Sequence, residues 1–150
     1  MATNIQRRQS ELPPATRRHA GVLMIVLPAV IYGGVSILRL LIGDDAYAAN
    51  QLRQDLWRAG HAHAGVLLVL SLVTVRYVEE ANLSAGLKRF VAGAIPASAI
   101  LLPAAFFLSV LEPDATEPNA LINFAYVGAV LLAAGLLILG VGLVRSPASP

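Results

Sequence analysis

Residues 120–144 read ALINFAYVGAVLLAAGLLILGVGLV, an apolar run without a single charged side chain. A helix needs about 20 residues to cross the hydrocarbon core of a bilayer, and a helix that is apolar on every side belongs in lipid or a deep core. Three further stretches approach or meet the same length: Ala20–Ile42, Trp57–Val75 and Phe90–Leu111. None alternates strictly between apolar and polar residues, which argues against a β-barrel. Helices also satisfy their own backbone hydrogen bonds, as lipid demands. The expected fold is all-α: an integral membrane four-helix bundle. It comprises a cytoplasmic Arg-rich tail over residues 1–18, a four-span domain over 19–145 and a short C-terminal tail over 146–150.

Composition agrees with this reading. The chain is 57% hydrophobic and only 13% charged, too little charge to cover a soluble surface of this size. There is no cysteine, so disulfides, iron–sulfur clusters and thiolate metal sites are excluded. A pI near 9.4 invites a nucleic-acid reading, but the basic residues follow membrane topology instead. Arg7, Arg8, Arg17 and Arg18 precede the first span, Arg76, Lys88 and Arg89 surround the second loop, and Arg145 follows the last span. The first and third loops lean acidic, with Asp44, Asp45, Asp55, Glu112, Asp114 and Glu117; Arg53 and Arg58 are exceptions. The positive-inside asymmetry places both termini and the second loop in the cytoplasm of a bacterial-type inner or plasma membrane. Ala46-Tyr47-Ala48 resembles a signal-cleavage site, but the run before it is too long for a signal h-region and carries Arg39, so it is read as a retained helix.

Polar groups at membrane depth are costly and mark function by default. Tyr32, Ser36 and Arg39 share one stripe of the first span. Gly60-His61-Ala62-His63-Ala64-Gly65 lies early in the second, and Asn119, Asn123 and Tyr126 open the fourth. In the predicted topology all of these fall in the outer half of the bundle. His61 and His63 stand about 200° apart on a helix, so one regular helix does not clamp one metal ion with both. His19 is at the far membrane surface. A single imidazole suffices as an axial haem ligand, and the small residues Gly60, Ala62, Ala64 and Gly65 leave room for a flat ring; interfacial hydrogen bonding and plain helix packing explain the same residues. The small residues of the fourth span, among them Gly128, Ala129, Ala133, Ala134, Gly135 and Gly140, point to close helix packing within the chain or between protomers.

Two motifs resemble a known family. His19-Ala20-Gly21-Val22-Leu23-Met24-Ile25 resembles the His-Gly-Ile-Leu-Met-Ile stretch that opens the styrene oxide isomerases. Trp57-Arg58-Ala59-Gly60-His61-Ala62-His63-Ala64-Gly65 is similar to their Trp-Ala-Arg-Ala-His-Ser-Gly. These small four-helix membrane isomerases, with the hydroxylaminobenzene mutases nearby, are homotrimers that bind haem b. The resemblance implies His63 as the iron ligand and Lewis-acid isomerisation of a small apolar epoxide to a carbonyl. His61, Gly60 and Gly65 would border the haem, and Arg39 would meet its propionates. The family's catalytic asparagine and tyrosine fall where this chain has Val69 and Phe106-Phe107, leaving Tyr126, Asn123 and Tyr32 as candidates for holding a substrate. Rival readings are a haem electron-transfer or sensor protein, and a non-catalytic membrane accessory subunit. Expected partners are further copies of the chain, a small apolar substrate and the lipid bilayer, with no nucleic acid.

Overall fold

The computed structural model describes residues 13–146, so most of the Arg-rich tail and the last four residues lie outside the described residues. Within that range the chain is helical and contains no strand: α1 (Pro14–Gly43), α2 (Asp45–Ala49), α3 (Gln51–Val78), α4 (Ala85–Leu108) and α5 (Phe124–Val144). A 3₁₀ turn, Ala120–Asn123, leads into α5. Four of these helices, the last counted with its 3₁₀ turn, are long and apolar enough to cross a membrane, which makes the chain a helical membrane protein by length and composition.

Local chemistry sets the ends. Pro14 occupies the first turn of α1, where a missing N–H costs nothing; α1 therefore starts before Arg17 and Arg18, inside the expected tail. The acidic first loop, between the spans expected at Ala20–Ile42 and Trp57–Val75, is largely helical, interrupted at Asp44 and Asn50. Asp44 accepts a hydrogen bond from the Tyr47 N–H and Asn50 from the Arg53 N–H, so two caps restart the helix in quick succession. Ser84 caps α4 in the same way.

The long helices pack in chain order, α1 on α3, α3 on α4 and α4 on α5, and α1 makes no close backbone approach to α4 or α5. One cluster of buried side chains, Val78, Ala81, Val91, Ile95 and Leu139, joins the end of α3 to α4 and α5. A smaller one, Leu23, Leu68 and Val75, seats α1 on α3. Gly128, Gly135 and Gly142 of α5 recur every seven residues and face inward. A Cβ on them would lie 2.9 Å from Leu102, 2.9 Å from Ile95 and 2.6 Å from Leu83. These glycines serve packing within the chain. Gly140 meets open space.

Candidate functional site

The two histidines of α3 reach different neighbours. His61 lies against α1: a Cβ built on Gly34 would stand 2.7 Å from its Nε2, and one on Gly33 would stand 3.8 Å from its Nδ1. The glycine pair is therefore a notch that admits the imidazole. His63 is exposed on α3, with its ring centroid 5.2 Å from that of Phe106 on α4. Its Nδ1 lies 2.7 Å from the Ala59 carbonyl oxygen. A carbonyl only accepts, so Nδ1 is the donor in this contact, which in a neutral ring leaves Nε2 as the acceptor nitrogen. The arrangement matches the orienting contact that metal-bound histidines make through their second nitrogen. Gly60, one turn earlier and buried, lets Phe107 approach; a Cβ there would lie 3.0 Å from its ring. Gly65 faces Val30 of α1 at 3.9 Å, in ordinary contact.

The remaining candidates are not gathered around His63 within one chain. Tyr32 is 62% exposed and Tyr126 69% exposed; Arg39 and Asn123 are exposed too. Asn123 donates to the Ala120 carbonyl of its own turn. Among the described residues no hydrogen bond or ring contact joins any of these four to His63. Nor do three His, Asp or Glu side chains there lie close enough to hold a metal ion together. Among the sequence-predicted candidates, His63 is the one that combines an exposed position with an imidazole oriented by a backbone hydrogen bond.

Sequence reasoning passed over a cluster at the same end. Arg53, only 7% exposed, donates from Nε to the Val110 carbonyl at 3.1 Å. Its guanidinium carbon sits 4.8 Å from the Trp57 ring centroid and 5.7 Å from that of Tyr47. Trp57 in turn donates to the Phe107 carbonyl, and Gln54 donates to the carbonyls of Tyr47 and Ala48. The desolvated cation is stabilised by ring faces and the carbonyls after α4 rather than by a carboxylate. This knot locks α2, the first turns of α3 and the end of α4 together, which holds Phe106 and Phe107 against Gly60 and His63. The readable signal was a helix beginning at Asn50, which puts Arg53 and Trp57 four residues apart on one face.

Comparison with protein-family models, with curated proteins and with solved structures finds no match.

Proposed function

We propose that the chain is a membrane haem protein of the styrene oxide isomerase type, with His63 as the axial ligand of haem b and the site completed between copies of a homotrimer. The carrying observation is the state of His63. Its imidazole is oriented through Nδ1, which leaves Nε2 as the nitrogen free to bind, and it is exposed several residues after Trp57. A polar nitrogen left bare in hydrocarbon is costly, so an occupant is favoured. Gly60 and Phe106 supply a flat, apolar border. Arg39, exposed on α1, is available to pair with a propionate across a subunit boundary. When bound, ferric haem would supply a Lewis-acidic iron for an epoxide oxygen.

A second reading has one observation in its favour. The side chain against His63 is Phe106, not a hydroxyl-bearing residue, and Val69 is exposed. Among the described residues no hydroxyl or amide side chain bonds to His63 to help hold an epoxide, which favours electron transfer or sensing at the same haem. Tyr32, Asn123 and Tyr126 would serve an isomerase only from a neighbouring copy.

The test is an absorption spectrum of the detergent-purified protein. A Soret band is expected, lost in His63→Ala and largely kept in His61→Ala and His19→Ala; a colourless wild type supplied with haem during expression would refute the reading. Styrene oxide turnover lost in Tyr126→Phe or Asn123→Ala would select the isomerase, and reversible reduction without turnover the rival. We place both termini and the α3–α4 turn in the cytoplasm on the positive-inside asymmetry. Reporter fusions after Arg145 and at Ala85 should then report inside and one at Ala48 outside; the reverse pattern would overturn the orientation.

A further inference from the structure

Two cavities share His19: one lies at the end of the molecule away from His61 and His63, and the other runs from there along α1 as far as Ala64 of α3, beside His63. One, about 270 Å³, is bordered by Thr16 and His19 of α1, Glu79 after α3, and Lys88 and Arg89 of α4. The other, about 240 Å³, also begins at His19 and runs along Leu23 and Val30 of α1, Leu68 of α3, and Pro96 and Ile100 of α4. They form one groove because α1 and α4 both rest on α3 without approaching each other. One half of the groove is polar and the other is almost wholly apolar.

The charges of the polar half are unbalanced. Its one carboxylate, Glu79, is engaged: Oε1 accepts from the Thr16 hydroxyl at 2.8 Å, which also ties α1 to the end of α3. Lys88 Nζ donates to the Glu79 backbone carbonyl at 2.8 Å, fixing the ammonium at the cavity wall. The ion pairs among the described residues are Arg58 with Asp55 and Arg76 with Glu80, so Arg89 has no acidic partner there. Arg17 and Arg18, exposed on α1, add to the positive field. A cationic mouth at the membrane surface, opening onto an apolar slot at acyl-chain depth, is complementary to one molecule that carries both an anion and an alkyl chain.

We propose that this groove binds a single anionic phospholipid, with its phosphate at His19, Lys88 and Arg89 and one acyl chain between α1 and α4. The lipid would fill the gap that the in-order packing leaves beside α1. It requires that the chain span a bilayer, but not that His63 hold haem.

Native mass spectrometry of the delipidated protein, titrated with phosphatidylglycerol or phosphatidylcholine of identical acyl chains, tests the site. One phosphatidylglycerol per chain should survive activation that strips phosphatidylcholine. Affinity should fall roughly fivefold for each cation removed in Lys88→Ala and Arg89→Ala. Arg76→Ala, outside both cavities, should leave it unchanged. Ala99 of α4 also lines the apolar slot, so Ala99→Trp, which narrows it, should weaken both lipids without altering charge; Ala99→Val, a smaller change, should do so less. Equal retention of the two lipids, or equal losses in Arg76→Ala and Arg89→Ala, would reduce the effect to general surface attraction and overturn the proposal. Competition by inorganic phosphate with no effect of either Ala99 variant would show an anion site without a lipid, and would overturn it too. Lys88 and Arg89 border only the cavity remote from His63, so their variants should leave the Soret band untouched, and the two sites are judged separately through them.

Discussion

The pair α4–α5 and the helix α1 are all apolar enough to cross a membrane and yet are packed in opposite ways. Along α5, three glycines at seven-residue spacing bring its backbone against Leu102, Ile95 and Leu83, and large side chains such as Leu139 fill the space between. Along α1, only Thr16 and Leu23 are buried, and Met24, Ile25, Ile31, Leu38 and Ile42 face outward. In lipid an outward Leu costs nothing, so hydrophobicity does not say which face meets protein; small residues that allow close approach do. The firm half of the molecule is stitched by glycine, whereas α1 is held by its one glycine notch, a small apolar cluster and the Thr16–Glu79 bond. The lipid groove lies along the looser half, where partners can be added, whereas His63 turns toward Phe106 of α4.

The largest effect is expected where the stitching is tightest. Gly135→Val should destabilise the protein by about 3 kcal/mol, because its Cβ alone already meets the Ile95 side chain and the added methyls have no room. Gly140→Val, on the same helix but facing open space, should stay within about 0.5 kcal/mol of wild type. Unfolding in detergent, followed by the fluorescence of the single tryptophan Trp57, provides the comparison. Equal losses in the two variants would mean that Gly140 is buried against another copy, and the contrast between inward and outward glycines would fail.

An intermediate effect is expected at the one notch in α1. Gly34→Val should push the His61 ring away and part α1 from α3, costing about 1–2 kcal/mol. Crosslinking between cysteines placed at Val30 and Gly65, 3.9 Å apart from side chain to built Cβ, should fall in parallel. An unchanged crosslinking yield would show that the Leu23–Leu68–Val75 cluster alone seats α1, and that the loose half is firmer than its burial implies.

The four spans were legible in the sequence because length and continuous apolarity are sufficient to specify them. The placement of His61 and His63 toward one end followed from antiparallel connections, whereas the Arg53 knot beside them was not foreseen. The face of each helix was less legible. The glycines of the last span read equally well as surface for packing within or between chains, and only three-dimensional proximity assigns Gly128 and Gly135 to α4 and Gly142 to the turn before it. The opposed directions of His61 and His63 were predictable from helical geometry. The hydrogen bond from Nδ1 of His63 to Ala59 was not, since it depends on a rotamer. Tyr47 was the least readable residue: it resembled part of a cleavage site, and it is instead the most buried aromatic ring, at 1% exposure.

The smallest effect belongs to that ring, at the junction between the two halves. The Tyr47 hydroxyl is buried with no hydrogen-bond partner among the described residues, while its ring stacks obliquely on Trp57 at 5.4 Å between centroids. Tyr47→Phe keeps the stacking and removes an unsatisfied polar atom, so stability at neutral pH should be unchanged or raised by up to about 1 kcal/mol. Burial raises the phenol pKa above its usual 10.0, against the lowering influence of Arg58 and Arg53. A raised folded-state pKa means that the native protein holds this proton more tightly than the unfolded chain. Its contribution is therefore complete below the ordinary tyrosine value and is lost as pH climbs through the folded one. Wild type should lose stability above pH 10.0 more steeply than Tyr47→Phe, which melting curves on either side of that pH would reveal. A clear destabilisation of Tyr47→Phe at neutral pH would mean that the hydroxyl has a partner after all, from water or a second copy. The knot that anchors α3 to α4 would then be part of an assembly and not of one chain alone.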